Sequence, residues 1–520
     1  MRISTAQFYE SSANSYSKNF SAMNKTNDQV TSGVRIQTAA DDPVGAARLL
    51  LLQQQQSLLD QYSGNINTVS NALLQEESVL STINDAMQRA SELAIRAGGA
   101  GVTDADRVSI STELKEIEAN IFGLLNSRDA NGDYMFGGSK STTPPYVRNS
   151  DGTYSYHGDQ TQLSLQVSDT LNLATNDTGF SIFDSAKNKS RTESNLLVPA
   201  VDDGVVGVSP GLLKSSNTYN ESFAAGQPYK LTFTSANQYM ITDANGNDIT
   251  SETPTNGHFD SKTEGANRIA LRGVEFEVTV TLEEGADADA AVGGREFSLA
   301  TRPDSFTTTR GAGNPSTAQV TGSTVSDPEV YRSTFPSNGA VIKFTGPGSY
   351  EFYAQPVTAD SKPVATGTFT APSLTVAGVT YQVNGSPEAG DQFAVTANNH
   401  QNQNVLETIS QLRAALDTPV TGAAVANGLK DAVASALANL GSAREQVDIT
   451  RGSIGARGNS LEIQRQENTS LGVANKTTQN AIGNTDMSQA AITLTLQQAM
   501  LEASQLAFSR ISQLSLFNKL

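Results

Sequence analysis

Residues 9–34, YESSANSYSKNFSAMNKTNDQVTSGV, decide the fold. Tyr9, Ala13, Tyr16, Phe20, Met23, Asn27, Val30 and Val34 follow in alternating steps of four and three, the spacing of a helix with one apolar seam. The matching seam lies at the far end of the chain. Ile492, Leu496, Ala499, Ala503, Leu506 and Phe517 mark one face of a second helix, and Leu494, Leu501 and Phe508 mark its opposite face. A helix that is apolar on two sides needs neighbours on two sides. The spacing therefore predicts a terminal coiled-coil pair, incompletely buried in the monomer and packed by other subunits.

Moving inward, Gly33 can stop the first helix, Asp42 is a good N-cap, and Pro43 suits the first helical position, where its missing N–H costs nothing. Leu59, Tyr62, Ile66, Val69, Leu73, Leu80, Ile83, Met87, Ala90 and Ala94 then hold a heptad seam, interrupted at Glu76. A helix from about Pro43 to Ala97 would be on the order of 80 Å long at 1.5 Å per residue. Gly98-Gly99-Ala100-Gly101 stops it, and Thr103 with Asp106 starts a further helix that folds back with its seam at Ile110, Leu114, Ile117, Ile121 and Leu124. Helical texture returns at Gln403, with Val405, Ile409, Leu412 and Leu416, then Leu429, Val433, Leu437 and Leu440. Beyond Ile454 that seam turns polar, with Arg465, Asn468 and Asn475 where apolar residues would sit.

From about Pro144 to Thr396 the composition changes to Thr, Ser, Val, Gly and Asn in period-two runs, the mark of strands. Residues 154–159 and 163–167 read as a hairpin pair. A weak internal repeat runs through the region. Lys230-Leu231-Thr232-Phe233 matches Lys343-Phe344-Thr345, Gly273-Val274-Glu275-Phe276 matches Gly378-Val379-Thr380-Tyr381, and Gly294-Arg295-Glu296-Phe297 matches Gly390-Asp391-Gln392-Phe393. The expected architecture is an α+β multidomain chain, a long antiparallel helical coiled-coil rod built from the N- and C-terminal segments with inserted β-rich outer domains. The expected division is a terminal coiled-coil segment over 1–42, rod over 43–143, a first β module over 144–301, a second over 302–397, returning rod over 398–480 and a closing coiled-coil helix over 481–520. The two end segments are expected to be disordered in the free monomer.

Composition narrows the function classes. With 35 basic against 53 acidic residues the net charge is −18, which disfavours nucleic acid or an anionic membrane as partner. The absence of Cys excludes disulfides, thiolate metal sites and Cys nucleophiles. No apolar run approaches the roughly 18 residues of a membrane span, and the N-terminus lacks the apolar core of a cleaved signal peptide. His157, His258 and His400 stand in separate segments without metal-ligand spacing. The Asp129–Asp133 and Asp243–Asp248 stretches look superficially like calcium loops but have no Glu at the twelfth position, so Asn-Gly turns are the better reading. No catalytic set, cofactor or metal is expected. The first forty residues carry only Arg2, Glu10, Lys18, Lys25, Asp28 and Arg35 as charges, and such an amide-rich surface can be buried against neighbours at little desolvation cost.

Met1-Arg2-Ile3-Ser4-Thr5, the run from Ser32-Gly33 to Asp41-Asp42-Pro43, Glu76-Glu77-Ser78-Val79-Leu80, and Asn131-Gly132-Asp133-Tyr134-Met135-Phe136-Gly137-Gly138 resemble the bacterial flagellar hook–filament junction family, the third hook-associated proteins. More widely, Ile454-Gly455-Ala456-Arg457-Gly458-Asn459-Ser460-Leu461-Glu462 and the closing Leu514-Ser515-Leu516-Phe517 look like the C-terminal segments of flagellin. The resemblance covers roughly the first 145 and last 120 residues of the sequence. The β region is larger than the family usually carries. The resemblance implies a structural, extracellular flagellar adaptor, exported by the flagellar type III route with a cytosolic chaperone on its C-terminal helix. It also implies a ring of its own copies between the first hook-associated protein and flagellin. The expected assembly residues are Tyr9, Tyr16, Phe20, Met23 and Val30 on the first helix, with Ile492, Leu494, Leu496, Leu501, Leu506 and Phe508 on the last. A minor flagellin and a secreted β-module adhesin on a helical stalk are the alternatives.

Overall fold

The computed structural model describes residues 5–99, 101–149, 152–261 and 267–517. Its long helices are α1 (Thr5–Ser32), α2 (Pro43–Ala97), α3 (Asp104–Leu125), α4 (Val405–Leu416), α5 (Ala423–Gly483) and α6 (Met487–Phe517). Local chemistry sets their ends. Gly33 takes φ +71°, the left-handed turn that stops α1. Asp42 Oδ1 accepts from Gly45 N at 2.9 Å just ahead of α2. Thr103 and Asp106 form a reciprocal capping box on α3.

The chain divides into two compact units. The first comprises Met1–Leu74, Leu163–Thr175 and Ser453–Leu520. Within it α1 packs on α6, while α2 buries Leu59, Tyr62, Ile66, Val69 and Leu73 and α5 buries Ile454 and Leu461. Beyond Leu461 the buried side chains of α5 are amides. Asn468 donates to Leu59 O at 3.3 Å, Asn475 to Leu52 O at 2.9 Å, and Gln479 to the same Leu52 oxygen at 3.1 Å. A carbonyl oxygen has two lone pairs, so an α2 carbonyl can serve its own helix and the neighbouring amide together. The polar stretch read from the sequence is thus an interior seam held by side-chain-to-backbone bonds.

Four short strands pair locally. β1 (Tyr146–Arg148) pairs with β2 (Tyr154–Tyr156), and β3 (Ser164–Gln166) with β4 (Asn172–Ala174). The expected pairing of 154–159 with 163–167 is therefore corrected. Three-residue strands carry too little pattern to choose a partner, and the tight turns decide. Asn149 N donates to Thr153 O at 2.8 Å in one turn, and Val167 N to Leu171 O at 2.9 Å in the other. The β3–β4 hairpin belongs to the first unit and is tied to α2 and α5. Tyr62 Oη donates to Asp169 Oδ1 at 2.8 Å, Asn65 to Gln166 O at 2.7 Å, and Arg457 to Ala174 O at 3.2 Å.

The second unit comprises Gln75–Gln162 and Asn176–Gly452. Its helical core buries Leu80, Ile83, Met87, Ala90 and Leu93 of α2, Ile110, Leu114, Ile121 and Leu125 of α3, Val405, Ile409, Leu412 and Leu416 of α4, and Val433, Leu440 and Val447 of α5. Glu76, at the interruption of the α2 seam, is buried and accepts from Asp177 N at 3.2 Å. Where α3 meets α4, the buried Glu118 carboxylate accepts from the Arg413 guanidinium and, at 2.6 Å, from the Tyr154 hydroxyl. Burial, with the Glu118 hydrogen bond next, pushes the Tyr154 hydroxyl up to about 12.

Two β modules complete this unit. In the first, β5 (Thr192–Val198), β6 (Val206–Val208), β7 (Leu212–Leu213), β8 (Tyr229–Ser235), β9 (Gln238–Thr242), β10 (Asn267–Leu271), β11 (Val274–Val280) and β12 (Glu296–Thr301) form sheets ordered β5-β12-β8-β9 and β10-β11-β6, with β7 also on β11. In the second, β13 (Ser305–Arg310), β14 (Gln319–Val325), β15 (Ala340–Gly346), β16 (Ser349–Ala354), β17 (Ala365–Thr368), β18 (Ser373–Val376), β19 (Val379–Asn384) and β20 (Gln392–Asn398) form β13-β20-β15-β16-β17 and β14-β19-β18. Replacing β5, β12, β8 and β9 by β13, β20, β15 and β16 turns the first order into the second, to which the edge strand β17 is added. The same holds for β10, β11 and β6 against β18, β19 and β14.

The repeated sequence stretches fall on matching strands, β8 with β15, β11 with β19, and β12 with β20. Gly273 and Gly378 occupy matching turns at φ +88° and +74°. A Cβ there would lie 2.7 Å from Ser215 O in one module and 2.5 Å from Asp327 O in the other, so both positions require glycine. Each module closes its own core, one around Phe233, Phe276 and Phe297, the other around Phe344, Phe352 and Phe393.

Candidate assembly surface on the terminal helices

α1 and α6 run antiparallel, since Val34 bridges to Asn484 at one end while, further along, Asn19 Nδ2 donates to Ser504 Oγ at 3.0 Å. The face of α6 turned to α1 steps through Ala490, Leu494, Gln497, Leu501, Ser504 and Phe508, all buried or half-buried, with Leu501 9 % exposed. The opposite face carries Ile492, 63 % exposed, Leu496, 58 %, and Leu506, 62 %, with Ala499, Met500 and Ala503 also exposed. Among its residues 487–517 only Glu502 and Arg510 are charged.

On α1 the inward positions include Tyr16, Asn19, Met23, Thr26 and Val30. Asn19 and Thr26 stand where the sequence spacing put Phe20 and Asn27. The reason is polar satisfaction, because Asn19 bonds across to Ser504 and Thr26 returns its hydroxyl proton to Ala22 O at 3.1 Å. Phe20 is thereby left 44 % exposed, its ring stacked on Tyr16 at 6.3 Å. The side chains of Tyr9 and Phe517, and residues Met1 to Ser4, lie outside the described residues. Of the residues expected at this surface, Tyr16, Met23, Val30, Leu494, Leu501 and Phe508 are gathered between the two helices. Phe20, Ile492, Leu496 and Leu506 are not.

Sequence spacing missed Asn19, Thr26, Gln497 and Ser504 as seam residues. The three-four step through Ala490, Leu494, Gln497 and Leu501 reveals them once amides and hydroxyls are admitted to the pattern.

Other polar features have structural uses. Asp129 Oδ1 accepts from Asn131 N and Asp133 N, and Asp243 Oδ1 from Asn245 N and Asn247 N, so both loops are turns folded around their own carboxylate. Hydrogen bonds, that from the Asn247 side chain first, hold the Asp243 carboxyl below its usual range. The His400 ring nitrogen lies 3.1 Å from Pro303 O, and burial, with Arg302 next, pushes its pKa down. Burial, helped by Glu277, pushes the Asp431 carboxyl up to about 7. Among the described residues no group of three or more His, Asp or Glu is placed to hold a metal ion, and no helix is long and apolar enough to cross a membrane.

A family model described as the bacterial flagellin N-terminal helical region matches residues 3–141. The flagellar hook-associated protein 3 of Salmonella typhimurium is 31 % identical over 232 residues, covering 43 % of this chain and 72 % of that protein. Its counterpart from Escherichia coli K12 is 28 % identical over 232 residues, again covering 43 % and 72 %. The crystal structure of hook-associated protein 3 from Legionella pneumophila superposes with a TM-score of 0.52 at 19 % identity, covering 83 % of this chain and 98 % of that one, a likeness of fold. These findings and the terminal helix pair place the chain in the flagellar hook-associated protein 3 family, among the flagellin-like proteins of the bacterial flagellum.

Proposed function

We propose that this chain is a structural subunit of the hook–filament junction, forming a ring of its own copies between the first hook-associated protein and flagellin. It works by packing and not by catalysis. The observation that carries the reading is the outward face of α6, where Ile492, Leu496 and Leu506 are exposed opposite the face that α1 covers. Covering those three side chains is worth roughly 3–5 kcal/mol per copy, taking about 1.5–3 kcal/mol for each fully buried side chain and scaling by exposure. Repeated round a ring, that burial offsets the entropy lost when the terminal helix pair is fixed among its neighbours. The subunit leaves the cell through the flagellar type III route without a cleaved signal peptide. A cytosolic chaperone shields α6 until release.

The test is the pair Ile492→Asp and Leu496→Asp. Thermal unfolding of the monomer is expected to stay unchanged, while incorporation into flagella and motility are lost and flagellin is shed as monomer from hooks that still form. Normal incorporation of the double variant would sink the reading. Subunit counting separates a junction ring from a minor flagellin, which would run along the whole filament.

A further inference from the structure

The breaks in the helical chain meet side by side. α1 ends at Ser32 and α2 begins at Pro43, while α5 ends at Gly483 and α6 begins at Met487. Between them Arg35 N donates to Gly483 O at 2.7 Å and Thr485 N to Gly33 O at 2.9 Å, which forms the Val34–Asn484 bridge. The Arg35 side chain closes the corner. Its Nε and Nη2 donate to Ile482 O at 3.0 and 2.7 Å, and Nη2 also reaches Asp42 Oδ2 at 3.2 Å. Asp42 Oδ1 is the cap of α2, and Asp486 Oδ1 caps α6 by accepting from Ser488 N and Gln489 N at 2.9 and 3.1 Å. From the last turn of α1, Gln29 Nε2 donates to Arg35 O at 2.7 Å.

One residue therefore touches three of the four helix ends, and the Val34–Asn484 bridge beside it ties in the loop that starts the fourth. Ile482 O sits in the last turn of α5, where a helix leaves its carbonyls unpaired, and a planar guanidinium can hold such an oxygen and a carboxylate together. The Arg35–Asp42 ion pair is exposed and contributes little by itself. The paired backbone and carbonyl bonds give the corner its geometry. A second tie lies alongside, where Lys25 Nζ is 2.6 Å from Asp41 Oδ1 and Asp41 Oδ2 accepts from Gln37 N and Thr38 N. Lys25, with Thr38 next, holds the Asp41 carboxyl down to about 2.

We propose that Arg35 is a positioning residue for assembly, fixing α1 against α6 in the one alignment that sets Asn19 opposite Ser504 and leaves the outer face of α6 unbroken. The proposal rests on the assembly reading above for its purpose, although not for its geometry. The terminal helices then order as one body, and a change at the corner is felt some twenty residues away in both. An alanine at position 35 keeps the backbone bridge but removes the bonds to Ile482 O and Asp42. A lysine can reach one of the two at a time.

The chain has no cysteine, so an Asn19→Cys, Ser504→Cys pair reports this alignment without background. The rate of intramolecular bridging by a short thiol cross-linker is measured on dilute monomer, with and without Arg35→Ala. The expected result is a fall of at least about ten-fold, the scale on which losing a hydrogen bond to a charged group shifts an equilibrium. Arg35→Lys is expected to recover part of it, and the unfolding transition of the second unit is expected to stay in place. A rate within about two-fold of the parent would overturn the proposal, and so would a loss that Arg35→Lys and Arg35→Ala share equally. Failure of the outer-face reading shows up separately, as normal incorporation of the Ile492→Asp, Leu496→Asp variant while the cross-link remains sensitive to Arg35.

Discussion

Residues 80–97 of α2 and residues 490–508 of α6 carry the same kind of apolar spacing and meet different ends. On α2, Leu80, Ile83, Met87, Ala90, Leu93, Ala94 and Ala97 are all buried. Other helices reach this stretch from several sides, with Arg89 pairing Glu113 of α3 at 2.6 Å, and Arg444 of α5 donating to Asn84 at 3.0 Å. On α6, α1 covers Leu501, while Ile492, Leu496 and Leu506 stay open. Spacing tells which residues a helix can bury, and the number of neighbouring helices decides how many it does bury. One stretch lies in a core that its neighbouring helices close, while the other keeps an open face, the one proposed above as the assembly surface.

Substitutions at three positions test how deep that difference runs. The largest effect is expected for Arg413→Ala, which leaves the buried Glu118 without its guanidinium and costs about 3–5 kcal/mol. Chemical denaturation of the second unit measures it. A loss under about 1 kcal/mol would show that the core is far more tolerant than its burial suggests. Leu501→Ala is expected to cost about 2 kcal/mol, near the low end for a buried leucine because a two-helix contact can close over the gap. Hydrogen exchange is expected to report that loss in α1 and α6 and not in α3. If exchange in α3 rises equally, the two regions are one cooperative body and the contrast fails. The smallest effect, about 1 kcal/mol, is expected for Asn475→Ala, which removes one side-chain bond to Leu52 O. Asn475→Leu sharpens the point, since a gain in stability would mean that the amide seam is kept for alignment instead of strength.

The legible parts of the fold were those fixed by neighbours in sequence. Gly33, Asp42-Pro43 and the Thr103–Asp106 box stand where the helix ends are, because a cap needs only three or four residues to work. Gly273 and Gly378 carried the β repeat, because a left-handed turn pressed against another backbone admits no other residue. What was hidden depended on partners far along the chain. Asn19 and Thr26 face inward although spacing favoured Phe20 and Asn27, and the bond that settles Asn19 comes from Ser504. Glu118 and Arg413 lie 295 residues apart, so neither announces the other. The polar stretch after Ile454 was visible as polar, but its burial followed from α2 carbonyls that no side-chain pattern records.

The second β module leaves the chain where it joins it. Arg302 N is bonded to Arg191 O at 2.8 Å, the His400 ring returns to Pro303 O, and Lys187 bridges to Asn402, so the two connecting strands lie together at one neck. A unit with its own core and its ends side by side can be lengthened, exchanged or cut out by a single splice without rethreading any helix. Such a chain can vary what it displays between residues 303 and 400 at a different pace from the helices that fix it to its neighbours.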